Sequence, residues 1–291
     1  MDNLRGAAIM VLAMLGFAFE DALIKLLAGA LPLGQIIGLL GMGGALVFAI
    51  LCKVQRQSLW DPAFLAPSIL LRNLAELVGA LGFVTAIALI PLSTASAILQ
   101  AAPLLVTLGA ALFLNEPVGW RRWAAILVGF FGVLLIIRPG TEGFSWLSLF
   151  AVQGVVGLAV RDLATRRVKA AVTSMQLSYL AFLMMIPASV ILLIAGGVAP
   201  VSLTWGQSGV LAGAVLIGAL SYYGITYAMR VGEIGFVTPF RYSRMIFALI
   251  LGMAFFNENP DALTLIGAGI IILSGLYTLW REQNVKSHAA A

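Results

Sequence analysis

Residues Gly232 to Glu258, GEIGFVTPFRYSRMIFALILGMAFFNE, are enough to cross a bilayer, yet Pro239, Arg241, Tyr242, Ser243 and Arg244 interrupt the apolar run. A charged side chain in lipid costs at least a few kcal/mol, so such groups face a protein interior or a watery cavity. The stretch has a twin. Leu92 to Glu116, LSTASAILQAAPLLVTLGAALFLNE, ends in the same Phe-x-Asn-Glu, about 142 positions earlier, and similarity at a fixed offset marks an internal repeat.

Working outward, apolar stretches recur along all 291 residues. The chain is 62% hydrophobic and 10% charged, against roughly 25% charged for a soluble domain. The fold class is therefore an all-α polytopic membrane protein. Ten segments are predicted: Arg5–Ala28, Gly34–Cys52, Pro67–Ile90, Leu92–Leu114, Trp120–Ile137, Trp146–Thr165, Ser174–Ala195, Gln207–Met229, Ile234–Phe256 and Asp261–Trp280. The first resembles a secretory signal, with Arg5 ahead of an apolar run. Glu20, Asp21 and Lys25 interrupt it, and it has a partner in the second half, so it reads as a retained helix.

The repeat runs throughout. Gly16-Phe-Ala-Phe-Glu-Asp21 matches Gly157-Leu-Ala-Val-Arg-Asp162, Lys25 matches Arg166, and Gln35 matches Gln176. An odd number of helices per half makes the halves enter the membrane in opposite senses. This predicts two inverted five-helix repeats, residues 1–140 and 141–282, followed by a polar cytoplasmic tail at 283–291. Arg5, Lys53, Arg56, Arg121, Arg122, Arg166, Arg167, Lys169, Arg230, Arg281 and Lys286 fall on one side, with Arg138 alone opposite; this places both termini in the cytoplasm. The six tryptophans lie near segment ends, as interfacial anchors do.

The net charge of +5 comes without a basic, aromatic-interleaved stripe, so nucleic acid is not an expected partner. Cys52 is the only cysteine and His288 the only histidine, and no metal or other cofactor is expected. There is no Walker-type phosphate loop, no HExxH and no GxSxG, so neither ATP coupling nor an intramembrane enzyme is expected, and no residue is assigned as catalytic. Charges of mixed sign, rather than rings of one sign, disfavour a channel.

Two five-helix halves, a Pro-containing fourth helix ending in Asn115-Glu116, and glycine-spaced fifth and tenth helices (Gly129, Gly132; Gly267, Gly275) resemble the drug/metabolite transporter superfamily, EamA type. Within it, the chain is similar to bacterial amino-acid exporters of the YddG type, whose substrates include aromatic amino acids. Met245 departs from the pattern, standing where Pro103 maps, with the proline of that helix at Pro239. The resemblance implies a secondary transporter of small amphipathic metabolites in the bacterial inner membrane, exporting amino acids by alternating access. A single chain in the lipid bilayer is the expected unit. The alternative substrate is an anionic or phosphorylated metabolite, which the surplus of deep arginines would suit.

Six charges are placed in the inner half: Arg72 and Glu76 on the third helix, Arg161 and Asp162 on the sixth, Arg241 and Arg244 on the ninth. Glu20, Asp21 and Lys25 fall in the outer half of the first. The functional reading makes the inner set a gate of salt bridges between helices three, six and nine. In it, Arg241 or Arg244 receives a substrate carboxylate, and Glu20, Asp21 or Glu76 meets an ammonium group or a proton. The plain reading is a static network, with Arg72 and Arg161 snorkelling to the headgroups. Gln100, Tyr222 and Tyr242, with Tyr223 and Tyr227, are candidate cavity residues. Pro103, Pro187 and Pro239 are expected to kink their helices, and Glu116 and Glu258 read as caps.

Overall fold

The structure, a computed structural model, describes residues 2–114, 119–141, 144–168, 172–231 and 234–289. The Asn115-Glu116 half of the twin signature lies outside the described residues. In chain order the helices are α1 (Asp2–Ala28), α2 (Leu33–Val54), α3 (Pro67–Leu89), α4 (Leu92–Leu99), α5 (Ala102–Phe113), α6 (Trp120–Ile137), α7 (Ser148–Thr165), α8 (Ser174–Gly196), α9 (Trp205–Val231), α10 (Ile234–Val237), α11 (Ser243–Phe256) and α12 (Ala262–Ala289). Short 3-10 helices cover Pro62–Leu65 and Thr238–Tyr242. Ten spans are long and apolar enough to cross a membrane, the fourth and ninth each built from two helical pieces. Helices are what such a solvent demands, since lipid offers no partner for backbone N–H and C=O groups. The even number of spans returns the chain to the face it started from, here called the terminal face.

Local chemistry explains the breaks. Pro103 has no N–H and clashes with the carbonyl four residues back. The backbone tightens just ahead of it, with Gln100 N and Ala101 N donating to the oxygens of Ala97 and Ile98 at 3.2 and 3.0 Å. Pro239 acts likewise at the start of the 3-10 segment Thr238–Tyr242. Pro187 does not break its helix: α8 runs continuously through it. That helix is secured at its start by a capping box, Thr173 Oγ1 accepting from Gln176 N while Gln176 Oε1 accepts from Thr173 N. At the face opposite the termini, α6 ends with Arg138 in the left-handed region. Arg138 pairs there with Asp261, which also accepts from Thr264 N at 2.9 Å. The hydrogen bond from Arg138 holds the Asp261 carboxyl down at about 2.

The helix pairs that pack most closely join the two halves: α3 with α7, α1 with α9, α2 with α8, and α6 with α12. They obey a pseudo-two-fold relation. Gly157 of α7 meets Gly79 and Ala75 of α3 backbone to backbone, while its counterpart Gly16 on α1 meets Ser221 of α9. Gly154 meets Phe83 in the first pair, and Ala13 meets Gly224 in the second. Small residues allow these approaches. A Cβ on Gly82 would stand 2.5 Å from Gly154 N. The main apolar core, including Ile36, Ile87, Leu92, Ile98, Leu104, Ile126 and Ile271, therefore draws on both halves. Trp60, Trp120, Trp146, Trp205 and Trp280 stay exposed.

Candidate functional site

The two interrupted spans cross one another. Gln100 Nε2 donates to the Tyr242 carbonyl at 3.1 Å, a bond buried in the bundle. Its partners stand 142 positions apart, so the bond joins equivalent positions of the two halves and marks the pseudo-two-fold axis. The Tyr242 ring fits a notch at Gly275 of α12, and its hydroxyl is buried without a partner. Broken helices near a repeat interface are where transporters expose backbone groups to a substrate.

Beside this crossing Arg244, at the start of α11, meets Asp21 of α1. Arg244 Nη2 donates to both Asp21 oxygens at 2.7 and 2.9 Å, and Nε donates to Oδ2 at 3.1 Å. The two side chains are 16% and 4% exposed. The guanidinium carbon also lies 5.0 Å from the Phe17 ring and 5.4 Å from the Phe83 ring, within cation–π range. The neighbouring charges are uncommitted. Among the described residues, Glu20 and Arg241 make no hydrogen bond and no ion pair. Glu20 lies against the backbone of Gly218 on α9, and Arg241 sits in the 3-10 segment that packs on α1.

Towards the terminal face, a second cluster joins α3 to α7. Arg161 Nη1 approaches the Glu76 oxygens at 3.4 and 3.5 Å, and Nη2 lies 2.8 Å from Asp162 Oδ1. Arg72 Nη2 stands 3.7 Å from Glu76 Oε2, and Nη1 donates to Asn73 Oδ1 at 3.2 Å. The Arg72 side chain is 3% exposed, and its Nε is buried without a partner, so it does not snorkel to the headgroups. Tyr222 lies within electrostatic reach of Arg161 and packs with Phe48 and Phe182, ring centroids 5.8 and 6.1 Å away. The expected three-helix gate is corrected here. The cluster joins helices three and six only, while Arg244 of the ninth helix turns to Asp21. The reason is packing: α11 lies against α1. Asp21 stands roughly 10 Å from the far end of α1 and Arg244 roughly 18 Å from the far end of α11, a gap that the long arginine stem bridges.

The opposite face holds a third cluster whose linkage sequence reasoning missed. Glu258 accepts from Leu92 N at 2.5 Å, Ser93 N at 2.9 Å and Ser93 Oγ at 2.7 Å. The carboxylate of the ninth span thus caps the fourth span, where the positive end of the helix dipole lies. Lys25 Nζ donates to the carbonyls of Ile87 and Ile90 at 3.1 and 2.6 Å, stands 3.7 Å from Glu258 Oε1, and lies over Phe256. One signal was available: Lys25 and Glu258 are opposite charges placed near the same face.

Comparison with known proteins agrees with this architecture. The sequence profile described as "EamA-like transporter family" matches residues 4–138 and again 145–280. An S-adenosylmethionine uptake transporter of Rickettsia bellii is 30% identical over 225 residues, covering 75% of this chain and 74% of that protein. A riboflavin transporter of Rhizobium johnstonii is 28% identical, covering 74% and 70%. A pseudopaline exporter of Pseudomonas aeruginosa is 28% identical, covering 92% and 94%. A solved crystal structure shares the fold with a TM-score of 0.64 at 18% identity, covering 96% of this chain and 98% of that one. The chain, a multi-pass membrane protein of two inverted five-helix repeats, belongs to the EamA-like transporter family.

Proposed function

We propose that this chain is a secondary transporter of small amphipathic metabolites, amino acids including aromatic ones foremost, working by alternating access in the bacterial inner membrane. The observation that carries this reading is the crossing at Gln100 and Tyr242, where both halves break beside the uncommitted charges Arg241 and Glu20. An unpaired guanidinium on an interrupted membrane helix suits a substrate carboxylate. The Lys and Arg asymmetry supports cytoplasmic termini. In that orientation the α3–α7 cluster of Arg72, Glu76, Arg161 and Asp162 is the inner gate, and Lys25 with Glu258 is the outer one. The named relatives are transporters of small molecules, one named for uptake and one for export, which supports a transporter rather than an enzyme.

Purified protein in liposomes tests the reading through counterflow of labelled L-phenylalanine. Saturable counterflow is expected, competed by other amino acids and abolished in a folded Arg241→Ala variant. No exchange, or competition by glycerol phosphate but not by amino acids, refutes the amino-acid assignment; in the latter case the unpaired arginine serves an anionic substrate.

A further inference from the structure

The repeat equates Arg161 with Glu20, Asp162 with Asp21, and Glu76 with Gly218. In one place the ion pair Arg161–Glu76 joins α7 to α3. At the related place on α1 and α9 the cation has become a carboxylate and its partner a glycine. A Cβ on Gly218 would stand 2.2 Å from Glu20 Oε1 and 2.8 Å from Oε2, so the carboxylate fills the room the missing side chain leaves. The bridge has lost its positive member.

Among the described residues no cation is bonded to Glu20 in its place. Asp21, the next residue, is held through both oxygens by Arg244. Lys25, one turn further on, is engaged with Ile87, Ile90 and Glu258. On α9 the adjoining titratable groups are the phenols Tyr222 and Tyr223. The 3-10 segment against α1 brings Arg241 and Tyr242, neither bonded to Glu20. The titratable residues of α3, Arg72 and Glu76, lie towards its opposite end, as do Cys52 and Lys53 of α2. The Arg244 guanidinium acts on Glu20 only through space, and a carboxylate with no bonded cation on a membrane helix is expensive.

We propose that Glu20 is the cation-receiving carboxylate of the transport cycle: one positive charge, arriving as a proton or as the ammonium group of a substrate, sits on it in at least one state. This deepens the transport reading and rests on it. The contact with Gly218 bears on which cation fits in which state. With α9 closed on the carboxylate, there is room for a proton; an ammonium group enters only when α1 and α9 part.

Two measurements, neither requiring transport, test this on the full chain in detergent. Dicyclohexylcarbodiimide reacts with protonated carboxyls, and mass-spectrometric mapping on wild-type protein at neutral pH is expected to find the adduct at Glu20 and not at Asp21 or Glu76 if the cation is a proton. If it is a substrate ammonium, phenethylamine raises the melting temperature of the wild type and that shift is lost in Glu20→Gln. Should Glu20→Gln not fold, Gly218→Ala reads the same subsite, because its methyl group meets the carboxylate, and it also loses the shift. Absence of the Glu20 adduct together with equal phenethylamine shifts in wild type and variant overturns the proposal. L-phenylalanine counterflow, measured separately, shows whether the transport reading survives that result.

Discussion

Replacing Arg244 by alanine removes three hydrogen-bond contacts, of 2.7, 2.9 and 3.1 Å, from a carboxylate whose side chain is 4% exposed. Asp21 is then left as an uncompensated charge in the bundle, a change that costs about 3–5 kcal/mol when a buried pair is broken from one side. Loss of the stacking on Phe17 and Phe83 adds to this. On the scaling of soluble domains, the melting temperature should fall by roughly 10 °C. The double variant Arg244→Met with Asp21→Asn removes both charges and keeps the volume, and should recover most of the loss, because apolar replacement of a buried pair is often nearly neutral. Unfolding of the monodisperse protein in detergent, followed by tryptophan fluorescence, measures both. A drop of less than about 1 kcal/mol in the single variant would mean that water solvates Asp21. A double variant as unstable as the single one would refute the charge argument and assign the loss to packing. If the double variant is stable yet inactive in counterflow, the pair takes part in transport beyond holding the fold.

Gly82→Val should prevent recovery of monodisperse protein, because its Cβ meets Gly154 N at 2.5 Å and Phe150 O at 2.7 Å, backbone atoms that cannot turn aside. Gly206→Ala, with nothing within 4 Å, should have no effect; equal behaviour of the two variants would refute the close crossing of α3 and α7. Glu258→Gln should loosen the face opposite the termini. A charge-assisted hydrogen bond contributes about 1.5 kcal/mol or more, so maleimide labelling of a Ser96→Cys reporter, in a Cys52→Ser background, should speed up about tenfold. Unchanged labelling would make Glu258 a cap without a gating role.

Much of the fold was legible because lipid leaves the chain few options. Apolar length and short connections placed ten spans, and the paired motifs from Gly16 and Gly157 implied the inversion that Gly157–Gly79 and Gly16–Ser221 display in space. Proline was a partial guide. Pro103 and Pro239 sit where the spans break, whereas Pro187 lies in a continuous helix. The charged residues were legible as a set but not as pairs. Residue spacing fixes depth to about a helical turn, and it does not say which neighbouring helix an arginine faces. Arg244 therefore read as part of the Arg72, Glu76, Arg161 and Asp162 cluster until the packing of α1 against α11 brought it to Asp21. For Glu20, the informative fact was the glycine opposite, which identity at position 20 alone cannot convey.

Pairing across the halves also has a consequence in time. Asp21 and Arg244 are separated by 223 residues, and Lys25 meets Glu258 only after the ninth span exists. At a synthesis rate of about 5–20 residues per second, roughly 10 to 45 s pass between emergence of the acid and of its partner. During that interval the newborn first helix carries Glu20, Asp21 and Lys25 with no partner from the second half. Whatever shelters those charges in the ribosome-bound chain, whether water at the insertion site or pairing within the first half, must give them up again when the ninth span arrives.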